Sequence, residues 1–589
     1  MNKKYEIVYP SDLSELLKGV EWVSIDTETT GLEYPQSNPL YLSFSTSEDN
    51  GYLLKLEDFS PEITQLVSSL VSKKILFNAQ FDDLMLRKKG YRLHQVEFDC
   101  QLAAYILNPS EWFTLKDLAK KELGENLTEF KDLFPGVRKI ADRKIEKLDI
   151  QTVLNYACDD SRSTFRLRPI LENKLKEDPN DWKLFKLEMR ISEILTDMVE
   201  TGNKINPQVL KKAEKICQKN IQEALDGIAG YLGPHLNPAS PKQLNKALFE
   251  DLGLPIVGLT KGTNPQPSTD KECLVALKND HPVIPYIQQF KEHSKLLSTY
   301  IQKIPTMLDE NGILHGRYNQ IGTVTGRFSS SEPNLQNMPV LTKTGRMIRE
   351  SFISRFPKGR LIVADQSQFE VRLMAQLSQE PLMLAAFKTA KRTKTKIDYH
   401  QIKADELGLT GPDARHHGKT LNFAMLYNVG YEKLAQDIDQ SEVFAQELLE
   451  KQDDTYVHIT EWKDKQIDLA RNQGYVQTIL GRKLYIGKDK YEGTTGVNYP
   501  IQGSAADLLK LSMVMIYDHI KRMGFETKMV MQVHDELVFD CPNDEEERLL
   551  VPYIRQALER PCWEGEPIHL DCPLEADIKI VQNWGQAKG

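Results

Sequence analysis

The hydrophobic periodicity changes character twice along the 589 residues, and that limits the architectures open to the chain. Up to about residue 170, short apolar runs (22–25, 40–44, 51–56 and 75–77) alternate with helical patterns, which predicts an α/β domain. From Trp182 to about Pro305 the pattern is all-helical. One candidate helix spans 187–199 and ends near Gly202; a second spans 210–232 and ends at Gly233-Pro234. After Ile313 strands and helices mix to the end, predicting a larger α+β unit. The polar stretch over 175–185 is the expected linker. A chain of this length has room for several buried cores.

Net charge is −9, which by itself disfavours a polyanionic partner, but the charge is unevenly spread. Residues 311–430 carry 17 Lys and Arg against 9 Asp and Glu, a basic island in an acidic protein and a plausible phosphate footprint. A composition of 40% hydrophobic and 27% charged residues is that of an ordinary soluble protein. There is no apolar run of membrane-spanning length and no signal-peptide pattern near Met1, so a cytoplasmic location is expected. The seven cysteines show no paired C-x-x-C spacing and read as reduced thiols.

Two constellations of acids stand out. In the first, residues 23–31 look like a strand running into a turn, and a period of two puts Asp26 and Glu28 on one face. Asp82 follows, and in the helical stretch 154–165 Tyr156 and Asp160 lie four apart, hence on one face. Clustered carboxylates repel unless cations lie between them, and hard oxygen ligands suit Mg²⁺ or Mn²⁺. Two such ions are suited to hydrolysing a phosphodiester and removing a nucleotide. In the second constellation, an apolar strand over 360–365 delivers Asp365. Much later, apolar runs 529–533 and 537–539 flank His534-Asp535-Glu536, predicting a hairpin with the acids at its tip. Asp365 alone could simply cap a helix. Beside Asp535 it would hold two Mg²⁺ for in-line phosphoryl transfer, an arrangement that polymerases use.

A further helix is expected after Thr410-Gly411-Pro412-Asp413, with Arg415, Lys419, Phe423 and Tyr427 in one slowly spiralling stripe. A solvated amphipathic face is one reading. Cations in a first turn oppose the helix dipole, though, and make sense if an anion docks there; a triphosphate with its base against Phe423 fits. Gly418 and the two aromatics favour the ligand.

Residues 1 to about 175 resemble the DEDDy proofreading 3′–5′ exonucleases, whose motifs match Asp26/Glu28, Asp82 and Tyr156/Asp160. The resemblance implies an RNase H-like fold in which the four acids hold two metal ions and Tyr156 orients the attacking water. From about 185 onward the chain resembles the family A DNA polymerases. The matching segments are 365–372, 415–427 and 534–536, together with 325–330, 332–337, 398–400, 474–485 and 498–503. The implied fold is α/β plus α+β multidomain: an RNase H-like nuclease over 1–178, then a right-hand polymerase over 179–589. Within the latter, 185–310 would be mainly thumb, 311–370 palm, 371–490 fingers and adjoining helices, and 491–589 palm.

By the same resemblance Asp365 and Asp535 bind two ions and Glu536 joins them as a catalytic acid. Arg415, Lys419 and His400 hold the incoming triphosphate. Glu370 is the gate against a ribose 2′-hydroxyl, Phe423 packs on the sugar, and Gln368 and Tyr427 complete the nucleotide site. Arg327, Asn498, Gln502 and His534 touch DNA near the primer end, Ser240 and Lys242 the duplex backbone. The implied partners are primer-template DNA and deoxynucleoside triphosphates, with no membrane and a monomeric state. Gln366, Asn428 and Thr494 depart from common family residues. A 5′-nuclease domain is expected to be absent, which suits a phage or other viral protein or a compact bacterial one. The competing readings are a stand-alone exonuclease, a noncatalytic DNA-binding protein and a single-subunit RNA polymerase.

Overall fold

The computed structural model describes residues 3–587 except 57–59, 69–71, 261–263, 341, 396, 412 and 488–491, and the side chains of 141 and 492 are likewise outside it. Pro412 of the expected helix start therefore lies outside the described residues. The N-terminal unit is built on a mixed six-stranded sheet. Its central strand, Trp22–Thr29, pairs antiparallel with Pro39–Ser45 and parallel with Lys73–Leu76, which pairs parallel with Val96–Asp99. Strand alternation buries Val23 and Ile25 and turns Asp26 and Glu28 to the opposite face. Helix Ile150–Lys176 packs across this sheet, with Asp149 accepting from the Thr152 amide at its start.

The expected linker is not a loop. Helix Ile150–Lys176 is followed after two residues by helix Pro179–Thr201, capped by Asp178 with Pro179 in its first turn. Within the polar stretch, Asp181 is buried and bonded to Lys483 at 2.9 Å, so polarity there marks an ion pair, not a spacer. The middle region is also not purely helical. Strand Asn203–Ile205 pairs with Ile313–Leu314 and Phe352–Ile353, fastening the helical arm to the C-terminal unit. Helix Pro207–Leu232 follows and pairs with Val283–Leu296 to form the arm.

The C-terminal unit centres on a four-stranded antiparallel sheet in the order Lys528–Val533, Glu536–Cys541, Arg360–Gln366, Ala576–Val581. Helices Pro179–Thr201 and Asp544–Glu559 contact this sheet, and helix Glu492–Met523 packs on both of them and on helices Phe369–Ser378, Ala414–Tyr427 and Val457–Gln473. All seven cysteines are unpaired thiols. Among the described residues no helix is long and apolar enough to cross a membrane.

Candidate active sites

In the N-terminal unit, one carboxylate oxygen each from Asp26, Glu28 and Asp160 come within 4.8 Å of one another. Two come from a strand and one from helix Ile150–Lys176, which crosses the sheet. Burial is the main cause of the raised carboxyl pKa values here. It is reinforced at Asp26 by Asp160, which together push Asp26 up to about 8, and at Glu28 by Asp26 and Asp160. Such a cluster fits divalent cations bound through hard oxygens. Asp82 is buried next to Asp26 but lies outside the trio, because its Oδ1 accepts from the Thr27 amide at 3.1 Å and from the Thr27 hydroxyl. The expected fourth ligand is thus held back by its neighbour on the strand. Tyr156 lies one turn from Asp160. Burial first, then Asp160, Glu28 and Asp26, raise its hydroxyl pKa far above the ordinary value, so it is a hydrogen-bond donor.

One member of this site is unexpected. Lys116 forms an ion pair with Asp160, and its ammonium lies 4.5 Å from the Tyr156 ring centroid. The available signal was a lysine in the first turn of helix Leu115–Leu123, where a cation opposes the dipole.

In the C-terminal unit, the Asp365 strand lies beside the His534-Asp535 turn. The Gln366 amide donates to the Asp535 carbonyl at 3.2 Å, so two aspartates distant in sequence sit at one end of one sheet. His534 has φ +55, and the two-residue turn leaves Asp535 at the tip. Glu536 is not at the tip. It begins the next strand directly opposite Asp365, and its buried carboxylate accepts from the Trp584 indole N–H at 2.7 Å. Arg349 stacks on that indole at 4.0 Å. Burial lowers its pKa, while nearby Glu536 and Asp365 oppose the shift. Asp577 faces Asp365 from the other neighbouring strand, an exposed acid that only the strand register reveals. Directly opposed like charges destabilise a sheet, so this edge too fits cations.

The turn after Asp365 is held by Arg372, which donates to the Ser367 carbonyl at 2.9 Å, the Pro573 carbonyl at 2.6 Å and Glu575 at 2.6 Å. Gln368 was expected to contact nucleotide. Its amide is instead committed at both ends, donating to the Ile397 carbonyl at 2.9 Å and accepting from the Tyr399 amide at 3.1 Å. It ties the Asp365 turn to helix Tyr399–Glu406. His400 on that helix accepts at Nδ1 from the buried Asn422 amide at 2.9 Å, an assignment that leaves Nε2 as donor; burial lowers its pKa.

Helix Ala414–Tyr427 carries the expected stripe. Arg415 is exposed and bonded to Asp398 at 2.6 Å, and the Lys419 ammonium lies 5.7 Å from the Phe423 ring. Phe423 is 40% exposed, a large apolar ring left open next to Lys419. The Tyr427 hydroxyl lies 3.5 Å from Glu370, which also pairs with Arg327. Gly418 serves helix packing instead of a ligand, since a Cβ there would come within 2.1 Å of the His400 carbonyl oxygen.

Asn498 and Gln502 are half-buried, one turn apart on the Glu492–Met523 helix. Ser240 and Lys242 lie elsewhere, on the helical arm, where the Ser240 hydroxyl caps helix Pro241–Asn245 and Lys242 is exposed. Two departures have local reasons. Asn428 ends its helix at φ +49, a conformation Asn tolerates, and Gln366 turns to the sheet's other face to reach the Leu558 carbonyl at 2.7 Å. Nothing in the structure explains Thr494.

Two family models match: DNA polymerase family A over residues 207–586, and 3′-5′ exonuclease over 6–176. The chain is similar to DNA polymerase I of Borreliella burgdorferi, at 30% identity over 98% of the chain and 63% of the relative. DNA polymerase I of Synechocystis sp. is 31% identical over 96% of the chain and 60% of the relative, and that of Bacillus subtilis 30% identical over 93% and 62%. The chain therefore spans about six tenths of the length of these relatives. Among solved structures it is similar to the POL domain of Pol1 from M. smegmatis in complex with DNA primer-template and dNTP. That match has a TM-score of 0.87 and 26% identity, and covers 100% of both chains.

Proposed function

The chain belongs to DNA polymerase family A, and from that premise we propose that it copies a DNA template by adding deoxynucleotides to a primer 3′-hydroxyl and trims mispaired ends at a separate 3′–5′ exonuclease site. The observation that carries the synthetic half is the strand pairing that sets Asp535 beside Asp365, within one sheet whose flanking helices bring up the Arg415–Tyr427 stripe. Asp365 and Asp535 would hold divalent ions, Mg²⁺ or Mn²⁺, which when bound supply charge stabilisation and an activated hydroxyl.

The chain's own side chains do the rest. Arg415 and Lys419 neutralise an incoming triphosphate, and the Nε2–H of His400 donates to it. The open face of Phe423 receives the nucleotide. Glu370, held by Arg327 and Tyr427, occupies the space a ribose 2′-hydroxyl would need. Because Arg327 is also the expected primer-end contact, gate and duplex share one cation. His534, Gln502 and Asn498 line the primer side, and Lys242 on the arm meets the duplex backbone. Fixing reactants together supplies much of the rate in such a transfer.

In the nuclease, Asp26, Glu28 and Asp160 would hold the ions, with Asp82 joining from behind Thr27 and the Tyr156 hydroxyl donating to the attacking water. Two sites in succession provide more discrimination than one binding event. We further place the nuclease in 1–178 and the polymerase in 179–589, acting as a monomer on primer-template DNA.

One assay tests this: extension of a labelled primer with Mg²⁺ and deoxynucleotides, ribonucleotides or neither. Asp365→Ala should abolish extension and spare trimming, and Asp26→Ala the converse. Trimming without extension would favour a stand-alone exonuclease, extension with ribonucleotides an RNA polymerase, and binding without turnover a noncatalytic protein.

A further inference from the structure

A cation enters the nuclease cluster from an element that supplies none of its acids. Lys116 is the second residue of helix Leu115–Leu123, whose start is fixed by Thr114 and Asp117 in a reciprocal capping box. Its ammonium pairs with Asp160 Oδ1, and the two side chains are only 13% and 9% exposed. The same ammonium lies 4.5 Å from the Tyr156 ring centroid, so a single cation engages both members of the Tyr156/Asp160 turn. Its charge also acts on Asp26 and Glu28. Lys121, five residues on, shows what an ordinary lysine of this helix does: it makes a surface pair with Glu111 in which both side chains are 51% exposed. For the helix itself a cation at the second position is unfavourable. The compensation comes from the carboxylate and the ring.

We propose that Lys116 is a positioning residue of the nuclease site. It holds the Asp160 carboxylate and covers the Tyr156 ring, fixing the orientation of both beside Asp26 and Glu28. This inference rests on the nuclease reading above. Partners that orient a metal ligand typically contribute 10–100-fold in metal affinity or activity. The rival role, a counter-cation that merely fills an ion's place, predicts the opposite sign for metal binding, because removing a positive charge would tighten it.

The test uses the full chain and the variants Lys116→Met, Lys116→Arg and Asp26→Ala. Three quantities are read: kcat and KM for trimming a single-stranded oligonucleotide, Mn²⁺ binding by calorimetry, and primer extension. For Lys116→Met we expect kcat for trimming to fall roughly 10–100-fold with KM little changed, Mn²⁺ binding to weaken by a similar factor, and extension to stay intact. Lys116→Arg, which can both pair with the carboxylate and lie on the ring, should retain most of both. Normal trimming or tighter Mn²⁺ binding in Lys116→Met overturns the proposal. Joint loss of trimming and extension, in Lys116→Arg as well, would assign the lysine to folding and overturn it too. An unmodified chain that does not trim and titrates Mn²⁺ like Asp26→Ala would instead sink the nuclease reading itself.

Discussion

Gly418→Ala sets two opposing effects against each other at one atom. Alanine is the better helix former by about 1 kcal/mol, so in an open helix the change stabilises. At this position the new Cβ would come within 2.1 Å of the His400 carbonyl oxygen and 3.0 Å of the Ala404 amide nitrogen, both backbone atoms that no rotamer change can move away. Helices Tyr399–Glu406 and Ala414–Tyr427 would have to separate by about 1 Å, and overpacking of that kind costs about 1–3 kcal/mol. The clash should win. Because the obstructed carbonyl belongs to His400, the His400–Asn422 bond at 2.9 Å shifts with it, and the imidazole loses its aim. A hydrogen bond to a charged phosphate contributes about 1.5–3 kcal/mol, so the nucleotide KM should rise roughly 10–100-fold. Gly230→Ala is the control: it lies in helix Pro207–Leu232 with nothing within 4 Å of an added Cβ, and should stabilise by about 0.5–1 kcal/mol. Steady-state extension against deoxynucleotide concentration and denaturant unfolding read both effects. If Gly418→Ala kept its nucleotide KM and gained stability as Gly230→Ala does, the close-approach argument would be wrong.

Glu188 is fully buried and accepts from Lys510 at 2.6 Å and from Arg482; although burial raises its pKa, those two cations hold it below the ordinary carboxylate range. Glu188→Ala leaves them unbalanced and should destabilise by about 3–5 kcal/mol, read as a lower unfolding midpoint; an unchanged midpoint would mean that Asp507, which accepts from Arg482 at 2.8 Å, suffices alone. Burial, and then Asp160, push Asp26 up to about 8, so the folded metal-free chain keeps a proton that the unfolded chain releases from about pH 4 upward. Stability from this group is therefore lost as pH rises from about 4 to 8, and Asp26→Asn should flatten that decline in EDTA-treated protein. Equal slopes for the two proteins would refute it. Glu370→Ala removes the carboxylate between Arg327 and Tyr427 and should raise ribonucleotide over deoxynucleotide kcat/KM by roughly 10–100-fold; an unchanged ratio would remove Glu370 from sugar selection.

What could be read from the chain alone was whatever short-range periodicity encodes. A period of two at residues 22–29 placed Asp26 and Glu28 on one face, and the apolar runs around 534–536 gave the hairpin that carries Asp535. What could not be read depends on which strand lies beside which. Asp577 becomes a neighbour of Asp365 only through the register of the last strand, and Glu536 moves from tip to strand because the turn takes two residues, not three. Gln368 enters the nucleotide site by the resemblance alone; that its amide also ties the Asp365 turn to a carbonyl 29 residues on is something no local pattern announces. Polar residues at 175–185 resembled a linker because sequence polarity does not distinguish solvent from a buried partner such as Lys483.

That misread junction bears on how the two sites work together. Helix Pro179–Thr201 is gripped from both sides. Arg87, on the helix that carries Asp82, donates to Asp197 at 2.7 Å and Glu200 at 2.6 Å, and Asp197 also accepts from the Tyr517 hydroxyl at 2.5 Å. Nine residues earlier on the same helix, Glu188 is bound by Lys510 and Arg482 of the C-terminal unit, and the Tyr105 hydroxyl of the N-terminal unit donates to the Thr323 carbonyl at 2.8 Å. A hinge at residues 177–178 would part Arg87 from Asp197 and Glu200 and Tyr105 from Thr323, and the buried Arg87 guanidinium would lose both its partners on that helix, at a cost of about a few kcal/mol. Helix Pro179–Thr201 thus contacts the units that carry both acid clusters. Under the proposed function the primer end must unpair and travel between the two acid clusters, so the rate of trimming should rise with how readily a mismatched end melts.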